Sequence, residues 1–187
     1  MPRLTSEHFV DRTSELLREQ GGGDVSLSMV LEACGAQKGS LYHFFPGGKE
    51  ELVAAAVKKM HACAASHIRQ CIEETQSTAG GVRKHLLHIS RLIDRPDGTL
   101  GMPFLALAAT IGETNKCVHA ACVSAVKEIE TLLAGELVSE GFESREAKRL
   151  AGFAIAAIDG SILNARVQGS SRPVKLAADM IAELFSR

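Results

Sequence analysis

Residues 26–52 read SLSMVLEACGAQKGSLYHFFPGGKEEL, two short stretches of helical spacing separated by Gly35-Ala36-Gln37 and closed by Pro46-Gly47-Gly48. The first stretch, about Leu27 to Cys34, is expected to stop at Gly35, which can take the left-handed conformation that ends a helix without strain. The second, about Lys38 to Phe44, places Leu41 and Phe45 four residues apart as inward anchors. Lys38, Ser40, Tyr42 and His43 are then left to point outward or sideways. Two short helices set at a steep angle by a glycine-containing turn form a helix-turn-helix. Side chains of these types on its second helix contact phosphates and base edges in a major groove. Gly39 would let the backbone come close to the duplex. Lys49 adds a cation beside the free N–H groups that open the next helix, a natural phosphate site. Ser26 and Ser28, near the start of the first stretch, could donate hydroxyls to the DNA backbone.

Outward from this segment the period of three and four continues almost everywhere, and alternation of the strand type is nearly absent. The chain therefore reads as all-α. Glycine and proline clusters cut it into about nine helices. The first is expected from about Thr5 or Ser6, with Thr5 as N-cap, Gly21 as its stop, and Phe9, Thr13, Leu16 and Leu17 on one face. A fourth begins at Lys49-Glu50-Glu51, where acidic residues suit a first turn, and runs to about Glu74. No repeat of fixed period argues for a solenoid.

Composition bounds the function. The 187 residues, 45% hydrophobic and 23% charged, suit one domain or a small module fused to a larger one. Five cysteines, an odd number, suggest reduced thiols inside a cell rather than a disulfide framework. No apolar run approaches the roughly 18 residues of a membrane span, so a soluble, cytoplasmic protein with no membrane partner is expected. With 21 Lys and Arg against 22 Asp and Glu, a broadly basic surface is excluded and any nucleic-acid contact must be local. Seven Phe, one Tyr and no Trp argue against the stacking platforms of single-strand and RNA binders.

The combination Lys38-Gly39-Ser40-Leu41-Tyr42, Phe45-Pro46 and Lys49-Glu50-Glu51-Leu52 resembles the DNA-binding segment of the TetR family of transcriptional repressors. Gly101-Met102-Pro103, Leu137 to Gly141 and Ala157-Ile158-Asp159-Gly160 resemble the branch that includes the LmrA and YxaF regulators. The resemblance implies an all-helical homodimer with a three-helix head, residues 1–48, and a ligand-binding and dimerising bundle, residues 49–187. It implies a repressor that binds a palindromic double-stranded operator and leaves it when a small-molecule effector binds the bundle. By matching positions, Lys38, Tyr42 and Lys49 become phosphate contacts, and Gln37, Ser40 and His43 become candidates for base or backbone contact. Ala36 stands where the family usually has Val, and Gln37 where it often has Ser or Thr, which weakens the cap of the second helix. Phe44 replaces a frequent His and removes one expected phosphate contact.

Residues 1–60 hold seven Lys or Arg against eight Asp or Glu. A slightly acidic head should bind DNA weakly without sequence preference, so occupancy should rest on a dimer reading two half-sites.

In the bundle, an apolar stripe at helical spacing can be plain core or cavity wall. The resemblance places a pocket between the fourth helix and those after it, with Met60, Ala64, His67, Leu87, His88, Phe104, Leu107 and Ile111 as candidate liners. Cys63, His67 and Cys71, spaced by four, share a helix face as zinc ligands could, although free Cys is commonly a small buried hydrophobe. Phe153, Ala157, Gly160 and Asn164 on one late helix, and Leu176, Met180, Ile181 and Leu184 on the last, form faces that either close the core or pair two copies. The resemblance implies the second, a two-fold bundle of four helices. Asp159 would need a partner if buried.

No GxSxG elbow, GxxxxGK[ST] loop or dinucleotide fingerprint is present, so no enzyme and no cofactor is expected. The alternative of another class is a helical bundle that binds a metal or small molecule, or a cofactor-free enzyme, with no DNA role.

Overall fold

The computed structural model describes residues 4–20, 25–95, 104–111 and 115–186. Among them every regular element is an α-helix: α1 (Ser6–Gln20), α2 (Leu27–Cys34), α3 (Lys38–Phe44), α4 (Gly48–Thr75), α5 (Thr78–Ile93), α6 (Phe104–Ile111), α7 (Lys116–Ser139), α8 (Ser144–Gln168) and α9 (Arg172–Phe185).

The expected local signals are in place. The Thr5 hydroxyl accepts from the His8 N–H at 3.1 Å, capping α1. Gly35 closes α2 with φ +59°, and its neighbour's N–H returns to the Leu31 carbonyl. Gly21 lies outside the described residues. Helices α1 to α3 enclose Phe9, which is fully buried against the rings of Phe44 and Phe45 at centroid distances of 5.9 and 6.2 Å. The Arg12 Nε donates to the Ala33 carbonyl at 3.0 Å and ties α1 to the end of α2.

Packing does not break at residue 48. Leu52, Val53, Ala56, Val57 and Met60 of α4 belong to the same buried cluster as Phe9, Val30 and Leu41, which Leu107 of α6 and Val118 and Cys122 of α7 also join. The second cluster lies farther along the chain, where α5 packs on α4 and α9, and α8 on α7 and α9. Gly81 lets α5 touch α4: a Cβ there would stand 2.7 Å from the Ile72 Cα. Glu140, just past α7, accepts the Thr78 hydroxyl at 2.7 Å and also the Thr78 N–H, closing the α5 N-terminus. Asp94 accepts the Ser171 hydroxyl and the Lys175 ammonium, both at 2.7 Å, fixing α9 to the end of α5. By length and composition alone α8 could cross a membrane; in this fold one side of it is buried against its neighbours.

Candidate nucleic-acid interface and internal cavity

Burial of Leu41 and Phe45 turns the opposite side of α3 to the surface, exposing Gln37, Lys38, Gly39, Tyr42 and His43, with Ser40 half-buried. Gln37 enters α3 in an extended conformation without a side-chain cap, as its departure from Ser or Thr predicts. Tyr42, 43% exposed, packs over the first residue of α4: a Cβ on Gly48 would lie 3.2 Å from the Tyr42 Cε1. Gly48 also has φ +73°, so both the ring and the backbone require glycine there. The Lys38 ammonium stands 5.8 Å from the Tyr42 ring centroid. Lys38, Tyr42 and the first turn of α4, which carries the half-buried Lys49, thus share one corner. Two donors at that helix start are used internally: the Gly47 N–H donates to Glu51 and the Gly48 N–H to the Phe45 carbonyl, both at 2.8 Å.

Ser26 has a local structural part. Its hydroxyl caps α2 by accepting the Met29 N–H at 3.2 Å and pairs with the Ser28 hydroxyl at 2.9 Å. The cap uses an acceptor site of the Ser26 oxygen and fixes the start of α2, while Ser28 is exposed.

A cavity of about 360 Å³ opens among α4, α5, α7 and α8, joined by Phe104 of α6 and Arg18 of α1. Met60, Ala64, His67, His88 and Phe104 line it as anticipated. Leu87 does not: α5 presents His85, His88, Ile89 and Leu92, one helical stripe, and Leu87 falls beside it against the second core cluster. Leu107 does not either. One turn after Phe104 on the same side of α6, it is 2% exposed within the head-side core, against which Phe104 also packs. The Ile111 side chain and Gly101-Met102-Pro103 lie outside the described residues. Among the lining residues missed from sequence are Arg18, Cys63, His85, the α7 residues Val126 and Ile129, and the α8 wall of Ile155, Ile158, Asp159 and Ile162. That wall is legible as a spacing of three and four; Arg18 carries no such signal.

Three imidazoles meet at the cavity. His67 and His85 approach Nδ1 to Nδ1 at 2.7 Å, so one ring donates to the bare nitrogen of the other, and the His88 ring centroid lies 4.7 Å from that of His67. Burial, then the neighbouring imidazoles, pushes His85 down to about 3, and burial lowers His67 as well. The Cys71 sulfur is 3.9 Å from both His67 ring nitrogens, with its thiol pKa raised by burial. Cys63 is exposed. Among the described residues no group of three His, Cys, Asp or Glu side chains has the arrangement to hold a metal ion. Asp159 has the partner its burial demands, accepting the Leu105 N–H at 2.6 Å, and burial raises its pKa to about 6.

On α8, Phe153, Gly160 and Asn164 are exposed and Ala157 is half-buried; on α9, Leu176 and Met180 are exposed. Ile181 leaves the proposed face, while Leu184, one turn after Met180, is half-buried. Val174, Ala178, Ile181 and Phe185 form the inner stripe of α9, so Ile181 is fully buried and Leu184 packs beside it. Position 181 is turned about 100° from 180 on a 3.6-residue helix.

Two family models match the chain: "Bacterial regulatory proteins, tetR family" over residues 9–56, and "Transcriptional regulator LmrA/YxaF-like, C-terminal domain" over residues 78–180. Among similar curated proteins are the uncharacterised HTH-type transcriptional regulator YxaF of Bacillus subtilis, 28% identical over 97% of this chain and 95% of its own, and the HTH-type transcriptional regulator LmrA of the same organism, 29% identical over 97% and 96%. A TetR transcriptional regulator from Legionella pneumophila has the same fold, with a TM-score of 0.81 at 18% identity over 98% of both chains. A TetR-family regulator from Agrobacterium tumefaciens matches with 0.80 at 18% identity over 95% of both. With the exposed face of α3 set on a helix-turn-helix and the C-terminal bundle matching as well, the chain belongs to the TetR family of transcriptional regulators, in its LmrA/YxaF-like branch, and is a DNA-binding regulator rather than an enzyme.

Proposed function

We propose that this regulator is a cytoplasmic, ligand-released repressor that holds a palindromic operator as a homodimer. The observation that carries the reading is the corner made by Lys38, Tyr42 and the start of α4. It presents a cation, a phenolic hydroxyl and helix-terminal N–H donors on one exposed side of α3. That combination grips a phosphate while Gln37, Ser40 and His43 reach toward base edges or backbone. Two copies paired through the exposed residues of α8 and α9 would set their recognition helices in successive major grooves, roughly 34–36 Å apart. The head, residues 1–48, and the body, residues 49–187, share α4, whose first half lies in the head's core and whose middle lines the cavity. A small molecule in that cavity would act by binding more tightly to the arrangement with the wrong head spacing.

Fluorescence anisotropy with a labelled duplex from the chain's own upstream intergenic region tests this. Saturable binding that survives a scrambled competitor and is lost in the Lys38→Ala, Tyr42→Ala double variant is expected. Equal affinity for the scrambled duplex would count against operator reading.

A further inference from the structure

The cavity wall is apolar except at a few points, and one of these comes from the DNA-binding head. Arg18 sits in the last turn of α1, is half-buried, and lines the cavity beside residues of α4, α5 and α8. Among the described residues its guanidinium has no ion pair and no hydrogen bond. Neighbouring arginines are engaged: Arg12 holds the Ala33 carbonyl and Glu15, and Arg166 holds the Gln20 carbonyl. Among the described residues the one carboxyl lining the cavity is that of Asp159, which accepts the Leu105 N–H. Two of the three histidines that share the cavity are hydrogen-bonded to each other, and among the described residues its wall carries no carboxylate other than Asp159.

We propose that the effector is an amphipathic organic anion, its charged group paired with Arg18 and its apolar body held among the leucine, isoleucine and phenylalanine side chains of the cavity. This rests on reading the cavity as the effector site. A cation would meet the guanidinium head-on. A neutral molecule filling the space would strip water from Arg18 and return nothing, at a cost that burial of an unpaired charge always carries. A carboxylate or sulfonate offers the planar or trigonal oxygens that a guanidinium grips with two N–H donors. The volume of about 360 Å³ accepts a molecule of the size small-molecule sites usually hold. Because Arg18 belongs to α1, such a pair would pull directly on the head, a connection from ligand to DNA reader that does not depend on a change passing along α4.

Binding of decanoate, decanol and decylamine to the full chain, followed by isothermal titration calorimetry at neutral pH, tests the charge preference. The three share an apolar tail and differ in the head group. Decanoate is expected to bind at least ~10-fold more tightly than either of the others. Arg18→Gln should weaken decanoate by about 30-fold or more, the loss typical when one partner of a desolvated charge pair is removed, and leave decanol nearly unchanged. Arg18→Lys should restore part of the preference, and thermal melting checks that both variants are folded. Decanol or decylamine binding as tightly as decanoate, or an unaltered preference in Arg18→Gln, would overturn the anion assignment while leaving the cavity as the site. Failure of all three to bind, or undiminished binding to Ala64→Phe, in which the cavity is filled, would instead overturn the cavity reading and this proposal with it.

Discussion

Arg166, in the last turns of α8, donates from Nη2 to the backbone carbonyl of Gln20, the final residue of α1, at 3.1 Å. The two are 146 residues apart in sequence, and the bond joins the helix that carries Ile155, Ile158, Asp159 and Ile162 of the cavity wall to the end of the head's first helix. It satisfies a carbonyl that a helix C-terminus leaves without an internal partner. Arg166→Ala should cost about 1 kcal/mol of stability, the lower end for a charged donor because the site is partly solvated. Amide exchange over residues 17–20 should accelerate while exchange in α5 is unchanged. Equal protection of α1 in the variant would show that the bond does not hold the two elements together.

The corner of α3 predicts distinct outcomes for distinct side chains. Lys38→Ala should weaken all duplexes alike and flatten the dependence of log affinity on log salt by about 2 for a dimer, roughly 0.9 for each phosphate released. Gln37→Ala should instead change which sequence is preferred and leave the salt slope alone. Salt titrations on the operator and on single-base variants separate the two; a Lys38 variant that keeps the full slope would remove it from the phosphate contacts.

The recognition segment was legible because its signals are local. Gly35, Leu41, Phe45 and the glycines before Lys49 each act within a few residues, and the observed bounds of α2 and α3 fall where those residues place them. The cavity was legible only in part, since a helical stripe announces that a face is covered without saying by what. Phe104 and Leu107 both lie on the apolar side of α6 as read from sequence and both pack on the head-side core, yet only Phe104 also reaches the cavity. Arg18 shows the limit most clearly. It reads as an ordinary charge in the last turn of an amphipathic helix, and only the packing of α1 on α4 brings it to the cavity.

Asp159 gives a pH dependence of defined sign. Burial raises its pKa from an ordinary carboxyl value of 3.8 to about 6, so between those values the folded chain binds a proton that the unfolded chain has lost. Stability contributed by the protonated form is therefore present at low pH and lost as pH rises through this window. Above about 6 the ionised carboxylate is a standing penalty, on the order of 2–3 kcal/mol. Asp159→Asn keeps an oxygen to accept the Leu105 N–H and removes the charge. It should raise the melting temperature at pH 7.5 and lose most of that advantage near pH 4, measured by calorimetric or circular-dichroism melting. A benefit that does not change with pH would show that the group titrates normally.

Gly81 is fixed by contact rather than by backbone conformation. A methyl group there would meet the Ile72 side chain and stand 2.7 Å from the Ile72 nitrogen and Cα, backbone that cannot rotate aside. Helix propensity alone favours alanine by about 1 kcal/mol, whereas overpacking at a helix crossing costs about 1–3 kcal/mol. Contact should win. Gly81→Ala is expected to lower stability in urea unfolding, and Gly160→Ala, where nothing lies within 4 Å of the added carbon, should raise that of the single chain. Stabilisation at both positions would mean that α4 and α5 are not in close contact at Gly81.

The pairing of two copies can be tested by contrasting neighbours on one helix. Met180 is 48% exposed and Ile181 is fully buried, so an acidic residue at the first meets solvent in a lone chain and at the second meets the core. Phe153, 54% exposed on α8, belongs with Met180 as a large apolar side chain about half uncovered in its own chain. Phe153→Asp combined with Met180→Asp should change the folding of a single chain far less than Ile181→Asp, since about half of each side chain already lies in water. The same charges would be desolvated without partners in a paired α8–α9 bundle, costing several kcal/mol across the symmetric interface because each occurs twice. Sedimentation velocity should then show monomers that keep a cooperative thermal transition and bind the palindromic duplex far more weakly. Ile181→Asp should instead abolish the cooperative transition. If the double variant sediments as the wild-type chain does and binds the duplex equally well, α8 and α9 do not pair the copies.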